Sequence, residues 1–276
     1  MLPLRFLHIP KTAGTTFAQI LEQVYRGEKK FQFTGNSRAD IDAFNSMSSI
    51  QQQQVKLYTG HAPIHTSIKF IDQCETITLL RDPISRVKSF CQHVSEGKSA
   101  YLRMKFPPEN FDLDKFLHSE ILELHNLQTK MLVNTGASAV NFQMPADEAL
   151  RLALGNLFNH ISVFGLLEHF DESLILFKQK FNWDLPTYTI SNTKDKDRLL
   201  HFEKHHIDRI IAINQLDIEL YQRAKIHFEA QINADEFDTK ALHRFQQINH
   251  NQNKTWLKLR HKGLNFIEHV YQKLFR

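Results

Sequence analysis

The chain has 276 residues, 42% of them hydrophobic, and a formal net charge of +4, an ordinary globular composition that suffices for one large α/β domain or two small ones. No apolar run approaches the roughly 18 residues a spanning helix needs, and the first strand begins almost at Met1, leaving no room for a signal peptide, so a cytoplasmic protein is expected. The basicity is concentrated in residues 251–276, where Lys254, Lys258, Arg260, Lys262, Lys273 and Arg276 face a single acid, Glu268, and leave about −1 for residues 1–250.

Along the chain, Leu4, Phe6 and Ile9 supply the apolar end of a buried strand, which Pro10 ends. Lys11 to Thr16 are small or cationic, and Phe17, Ile20, Leu21 and Val24 then recur at helical spacing, so the turn sits at a helix N-terminus. Such a terminus presents unpaired N–H groups and a partial positive charge, which favour an anion. Lys11 adds a full charge, Gly14 lets backbone approach a ligand closely, and Thr15 and Thr16 offer hydroxyl donors. The turn is suited to phosphate or a similar group. Its lysine comes first, unlike the triphosphate loop in which lysine follows a glycine-rich stretch.

Residues 28–54 are polar and weakly periodic, with Gln51 to Gln54 reading as a helix end or loop. Val55 to Thr59 alternates as a strand and runs into the turn Gly60-His61-Ala62-Pro63, at the kind of strand end where ligands collect in open parallel sheets. Glu75 to Leu80 is a second clear strand, ending in Arg81-Asp82-Pro83, where Asp82 suits the N-cap and Pro83 the first position of the next helix. Residues 97–110, with Gly97, Pro107 and Pro108, read as a long loop of the kind that gates sites. Helices are expected at about 112–134 and 145–160, a buried strand over Ile161–Leu167, an amphipathic helix through Phe170, Leu174 and Phe181, and one or two helices from Arg198 to Ile232. The alternation predicts a parallel sheet between helical layers: an α/β three-layer sandwich of the P-loop type with a helical C-terminal extension, one domain over residues 1–276. Cys74 and Cys91 make no disulfide framework, and the sixteen histidines are scattered, His205 and His206 being expected on different helix faces, so no metal site is expected.

The order Pro10-Lys11-Thr12-Ala13-Gly14-Thr15 resembles the 5′-phosphosulfate loop of sulfotransferases that use 3′-phosphoadenosine 5′-phosphosulfate (PAPS). Thr76 to Phe90 resembles the 3′-phosphate motif of the same family, an apolar strand, R-D-P and a helix with a serine eight residues after the arginine; Arg81 and Ser89 match those positions. Tyr58–Ile64, Asn126–Leu132, Val163–Leu174, Asn192–Arg198 and Ile213–Tyr221, in family order, are similar to segments of the carbohydrate O-sulfotransferases related to the heparan sulfate 2-O- and 6-O-sulfotransferases, in their bacterial form. Eukaryotic members carry a membrane anchor and luminal disulfides; neither is expected here, so a Golgi-type setting and a heparan substrate are not carried over.

The resemblance implies sulfuryl transfer from PAPS, leaving 3′-phosphoadenosine 5′-phosphate (PAP), to a hydroxyl of a carbohydrate or other acceptor, with no metal. It places Lys11, Thr12, Ala13, Gly14, Thr15 and Thr16 around the 5′-phosphosulfate and Arg81 and Ser89 around the 3′-phosphate. Lys11 also neutralises the leaving oxygen. His61 matches the base histidine of the 2-O branch, and imidazole titrates in the useful range. His65, one helical turn away, is the rival base; His125, and His8, read as packed within its strand, are further alternatives. Lys130, Lys194 and Arg198 stay open between substrate contacts and solvated side chains. The tail around Trp256, Leu257 and Leu259 is either a packed helix or a surface for an anionic glycan or membrane; no nucleic-acid motif accompanies it. Two other readings stand beside this one: a small-molecule P-loop kinase, which needs magnesium and an acidic ligand, with Asp82 the nearest candidate, and a non-catalytic nucleotide-binding module.

Overall fold

Five short segments, four of them largely apolar, pair as the parallel strands β1 (Leu4–Leu7), β2 (Lys29–Phe33), β3 (Val55–Gly60), β4 (Glu75–Leu80) and β5 (Val163–Leu166) in a computed structural model that describes residues 3–66, 68–133, 144–188 and 199–252. Their order in the sheet is β2-β3-β1-β4-β5, with Leu7 level with Gly60 on one side and Thr78 on the other. Helices follow as α1 (Gly14–Val24), α2 (Ser37–Asn45), α3 (Ser49–Gln53), α4 (Pro83–Ser95), α5 (Leu113–Leu117), α6 (Leu127–Val133), α7 (Ala146–Asn159), α8 (Phe170–Phe181), α9 (Lys204–Ile213) and α10 (Gln215–Ile232), with a further helix over residues 239–252. Among the described residues no helix is long and apolar enough to cross a membrane.

Strand alternation sends Leu4 and Phe6 of β1 and Ile77 and Leu79 of β4 to one face, where they pack with Phe17 and Ile20 of α1 and Leu174 and Phe177 of α8. Leu7 and Leu80 point the other way, into a second core with Leu132 of α6, Leu157 of α7 and Leu220 and Phe228 of α10. Both faces are therefore covered, which is the α/β sandwich with a central parallel sheet that the strand–helix alternation implies.

Two local expectations change, and residues 28–54 gain elements. They hold an edge strand and two capped helices: Phe31 and Phe33 are the apolar residues of β2, Asn36 accepts the N–H of Ala39 (3.2 Å), and Ser48 with Gln51 forms the capping box of α3, which the glutamine run closes, as the helix end expected there. The long helix expected over 112–134 is instead broken, because Asp112 caps α5 and Asn126 turns left-handed (φ 47°) directly before α6. His205 and His206 do not diverge: their ring centroids lie 3.8 Å apart, with Nε2 atoms 3.1 and 3.4 Å from Asp114 Oδ1 on α5. His206 Nδ1 accepts the N–H of Glu203 (3.0 Å), so its Nε2 carries the ring proton and aims it at Asp114. A metal would require that nitrogen's lone pair, and the trio serves as a polar clamp between α5 and α9.

Candidate active site

Each of the five strands delivers the residue after its last one to a single cleft: His8 after β1, Thr34 after β2, His61 after β3, Arg81 after β4 and Leu167 after β5. Because β1 is followed by α1 and then β2 on one side of the sheet, whereas β4 leads to β5 on the other, the cleft opens at the switch point of the topology. Its volume is about 1110 Å³, room for a nucleotide and part of a second substrate.

The floor is the turn between β1 and α1. Lys11 (φ 71°) and Ala13 (φ 68°) both adopt the left-handed conformation, which bends the chain so that Lys11 and Ala13 to Thr16 line the cleft. Ala13 has no side chain with which to cap α1, and no acid occupies the first turn, so the helix terminus keeps its positive end for a ligand. Thr12 differs from its neighbours: it is buried and its hydroxyl donates to Ile9 O (2.9 Å), so it stabilises the turn from beneath. Gly14 has a reason that spacing does not show. A Cβ there would lie 1.6 Å from His8 Nε2, so the missing side chain makes room for an imidazole.

Arg81 is held at three atoms. The buried Gln128 side-chain amide accepts the N–H of Arg81 (2.9 Å) and donates to its C=O (2.8 Å), while Arg81 Nη1 donates to Lys11 O (3.0 Å). Burial lowers the guanidinium pKa, and Glu168 and Asp82 oppose that shift. Asp82 accepts the N–H of Ser85 (2.7 Å) with Pro83 at the first helical position, and two turns along α4 Ser89 reaches the same cleft.

His61 Nδ1 lies 2.9 Å from the backbone oxygen of His8. A carbonyl only accepts, so Nδ1 carries the ring proton and Nε2 keeps its lone pair. The turn beyond is fixed by the buried Arg5, which donates to the carbonyls of Ile64 (2.5 Å), Ala62 (3.4 Å) and Pro63. Burial lowers its pKa to about 10, against the opposing pull of Cys74 and Asp72. Residues 61–66 are not helical, so His65 is not one helical turn from His61; it is exposed and absent from the cleft lining. His125 also lies away from the lining, with Nε2 2.9 Å from Ser119 O. His8 does pack against Phe6, as expected, yet it lines the cleft as well. Lys130 is half-buried off the lining, where burial lowers its pKa against the attraction of Asp217 and Glu120. Lys194, Arg198 and the basic tail lie outside the described residues. The outer wall comes from His93 and the loop 98–101, where Lys98 pairs with Glu96 (2.5 Å) and the Tyr101 hydroxyl meets Glu123.

No family model matches the chain. Among curated proteins it is similar to Heparan-sulfate 6-O-sulfotransferase 1 of Homo sapiens, 27% identical over 271 residues that cover 81% of this chain and 65% of the relative. It is also similar to Heparan-sulfate 6-O-sulfotransferase 1-B of Danio rerio (27% over 267 residues, 81% and 65%) and Heparan-sulfate 6-O-sulfotransferase 2 of Gallus gallus (24% over 262 residues, 80% and 65%). The chain is thus similar to heparan-sulfate sulfotransferases. It spans about 65% of the length of these relatives.

Two segments that carry the family resemblance prove to serve each other. Asp217, fully buried near the start of α10, accepts the N–H groups of Gln128 (3.0 Å) and Thr129 (2.8 Å) and the Thr129 hydroxyl (2.8 Å), capping α6. In return Asn126 Oδ1 accepts the N–H groups of Leu216 (3.0 Å) and Asp217 (3.2 Å), capping α10. The pairing of helix ends holds Gln128 against Arg81.

Proposed function

We propose that the chain is a PAPS-dependent O-sulfotransferase that transfers a sulfuryl group to a hydroxyl of a carbohydrate acceptor, with His61 as general base. The observation that carries this reading is the convergence of Lys11, Arg81 and His61, from three adjacent strand ends, on one cleft in which His61 has Nε2 available for a proton. The names of the similar proteins support the acceptor class. The proposal places the reaction in the cytoplasm and assigns it no metal.

The residues present fit the donor. The uncapped terminus of α1 and the left-handed turn suit its 5′-phosphosulfate, and Arg81, anchored through its backbone, suits the 3′-phosphate with Ser89 beside it. PAPS brings a sulfuryl group on a phosphate leaving group. His61 Nε2 takes the proton of the acceptor hydroxyl as its oxygen bonds to sulfur and the bond from sulfur to the phosphate oxygen breaks. Lys11 and the positive end of α1 offset the charge that grows on that oxygen.

Calorimetry and turnover test the reading together. PAP is expected to bind more tightly than AMP with chelator present, and His61→Ala to lower turnover with PAPS and a hydroxyl-bearing glycan by about 10²–10⁴-fold while PAP affinity stays. Equal affinity for AMP and PAP, or ATP binding only with magnesium, would overturn it in favour of a kinase or a different nucleotide site.

A further inference from the structure

His8 occupies a place that neither phosphate motif accounts for. Its ring stacks on Phe6 (5.3 Å between centroids, 13° between planes), Phe6 packs edge-on against Phe17 of α1 (4.8 Å), and the His8 ring lies 4.3 Å from that of His61. An aromatic row therefore runs from the core beneath α1 to the proposed base. The imidazole also sits on the first residue of α1, where any residue larger than glycine would collide with it. The backbone of the same residue completes the contact, because His8 O accepts the Nδ1 proton of His61.

We propose that His8 is a positioning residue for the sulfuryl transfer: its ring, wedged between Gly14 and His61, sets the base at a fixed place relative to the phosphate-binding turn. This role rests on the assignment of His61 as base. Its neighbours favour a ring that stays neutral, since burial and then the two cationic or titratable groups that face it, His61 at the end of β3 and Lys11 in the turn, lower its pKa to about 3. A neutral flat ring fills the gap without repelling Lys11 or a protonated His61.

The contribution is one of shape, which separates it from a direct chemical role. His8→Ala is expected to lower kcat by about 10–100-fold with the PAP dissociation constant unchanged, and His8→Phe, which keeps a flat ring on Phe6, Gly14 and His61, to restore most of the loss. If His8→Ala does not fold, His8→Leu, which fills the volume without a flat ring, takes its place. Normal kcat in the truncated variant, or a His8→Phe as inactive as His8→Ala, would overturn the proposal. The ring resonances of His61, followed by NMR without substrates, supply an independent reading: their ring-current shift should be lost in His8→Ala and kept in His8→Phe, and resonances unmoved in His8→Ala overturn the wedge. A wild-type chain that binds no PAP and transfers no sulfate defeats the assigned reaction and this role with it, whereas active wild type with an indifferent His8→Ala defeats the positioning alone.

Discussion

His8 takes up a proton in the unfolded chain below about pH 6.5, but in the folded chain only near pH 3, because burial, His61 and Lys11 all oppose the charge. Between those two values the unfolded state binds the extra proton, so this residue's contribution to stability is complete above about pH 6.5 and is lost as the pH falls toward 3. From pH 7 to pH 5 the loss amounts to about 2 kcal/mol at 1.36 kcal/mol per unit. Chemical denaturation of wild type and His8→Phe at both pH values isolates it: the wild type should lose about 2 kcal/mol more than the variant, and equal losses would show that His8 is already solvated. At this scale the sequence shows Lys11, His61 and Arg81 as polar groups just after strands, whereas Ser89, in the middle of α4, is picked out only by the family resemblance. It did not announce why Gly14 is glycine, since the colliding atom belongs to a residue six positions earlier. Arg5 carries a signal of its own: a cation between Leu4 and Phe6 in a buried strand must find acceptors, and it finds three carbonyls in the turn after His61.

The helices hold each other by their ends. Asp217 is a fully buried carboxylate serving three donors of α6, so Asp217→Ala removes no apolar packing to speak of and strands two backbone N–H groups and a hydroxyl. At about 1–3 kcal/mol for each buried donor left unpaired, the fold should lose about 3 kcal/mol or more. Equilibrium unfolding in urea measures it; a loss below about 1 kcal/mol would mean that water replaces the carboxylate. Long periodic elements such as α1, α4, α8 and α10 were legible because their apolar stripes face a core. The edge strand β2 was not, since two phenylalanines in five residues leave little alternation to see. The region 112–134 misled for a different reason: its apolar spacing is helical throughout, but Asn126 gives its side chain to α10 instead of extending a helix of its own.

Across the whole molecule, the sheet turns distant sequence into one surface, with the turn 11–16 and the segment Arg81–Ser89 meeting only because β1 and β4 are neighbours. That adjacency, the step from parallel strands to their order, is what the sequence leaves open; the strand–helix alternation gives the layers and not the sequence of strands in the sheet. It also separates the two phosphate positions in an experiment. PAP at about a hundred times its dissociation constant should stabilise the fold by roughly 2.7 kcal/mol. Hydrogen exchange then shows where the ligand is held: PAP should slow exchange both in residues 13–16 and in the backbone N–H groups around Arg81, which Gln128 and Lys11 already tie together. AMP, which lacks the 3′-phosphate, should protect the turn at the start of α1 and leave the Arg81 region at its ligand-free rate. If AMP and PAP protect both segments equally, Arg81 and Ser89 do not read a 3′-phosphate, and the selectivity proposed for this cleft falls while the 5′ half of the site stands.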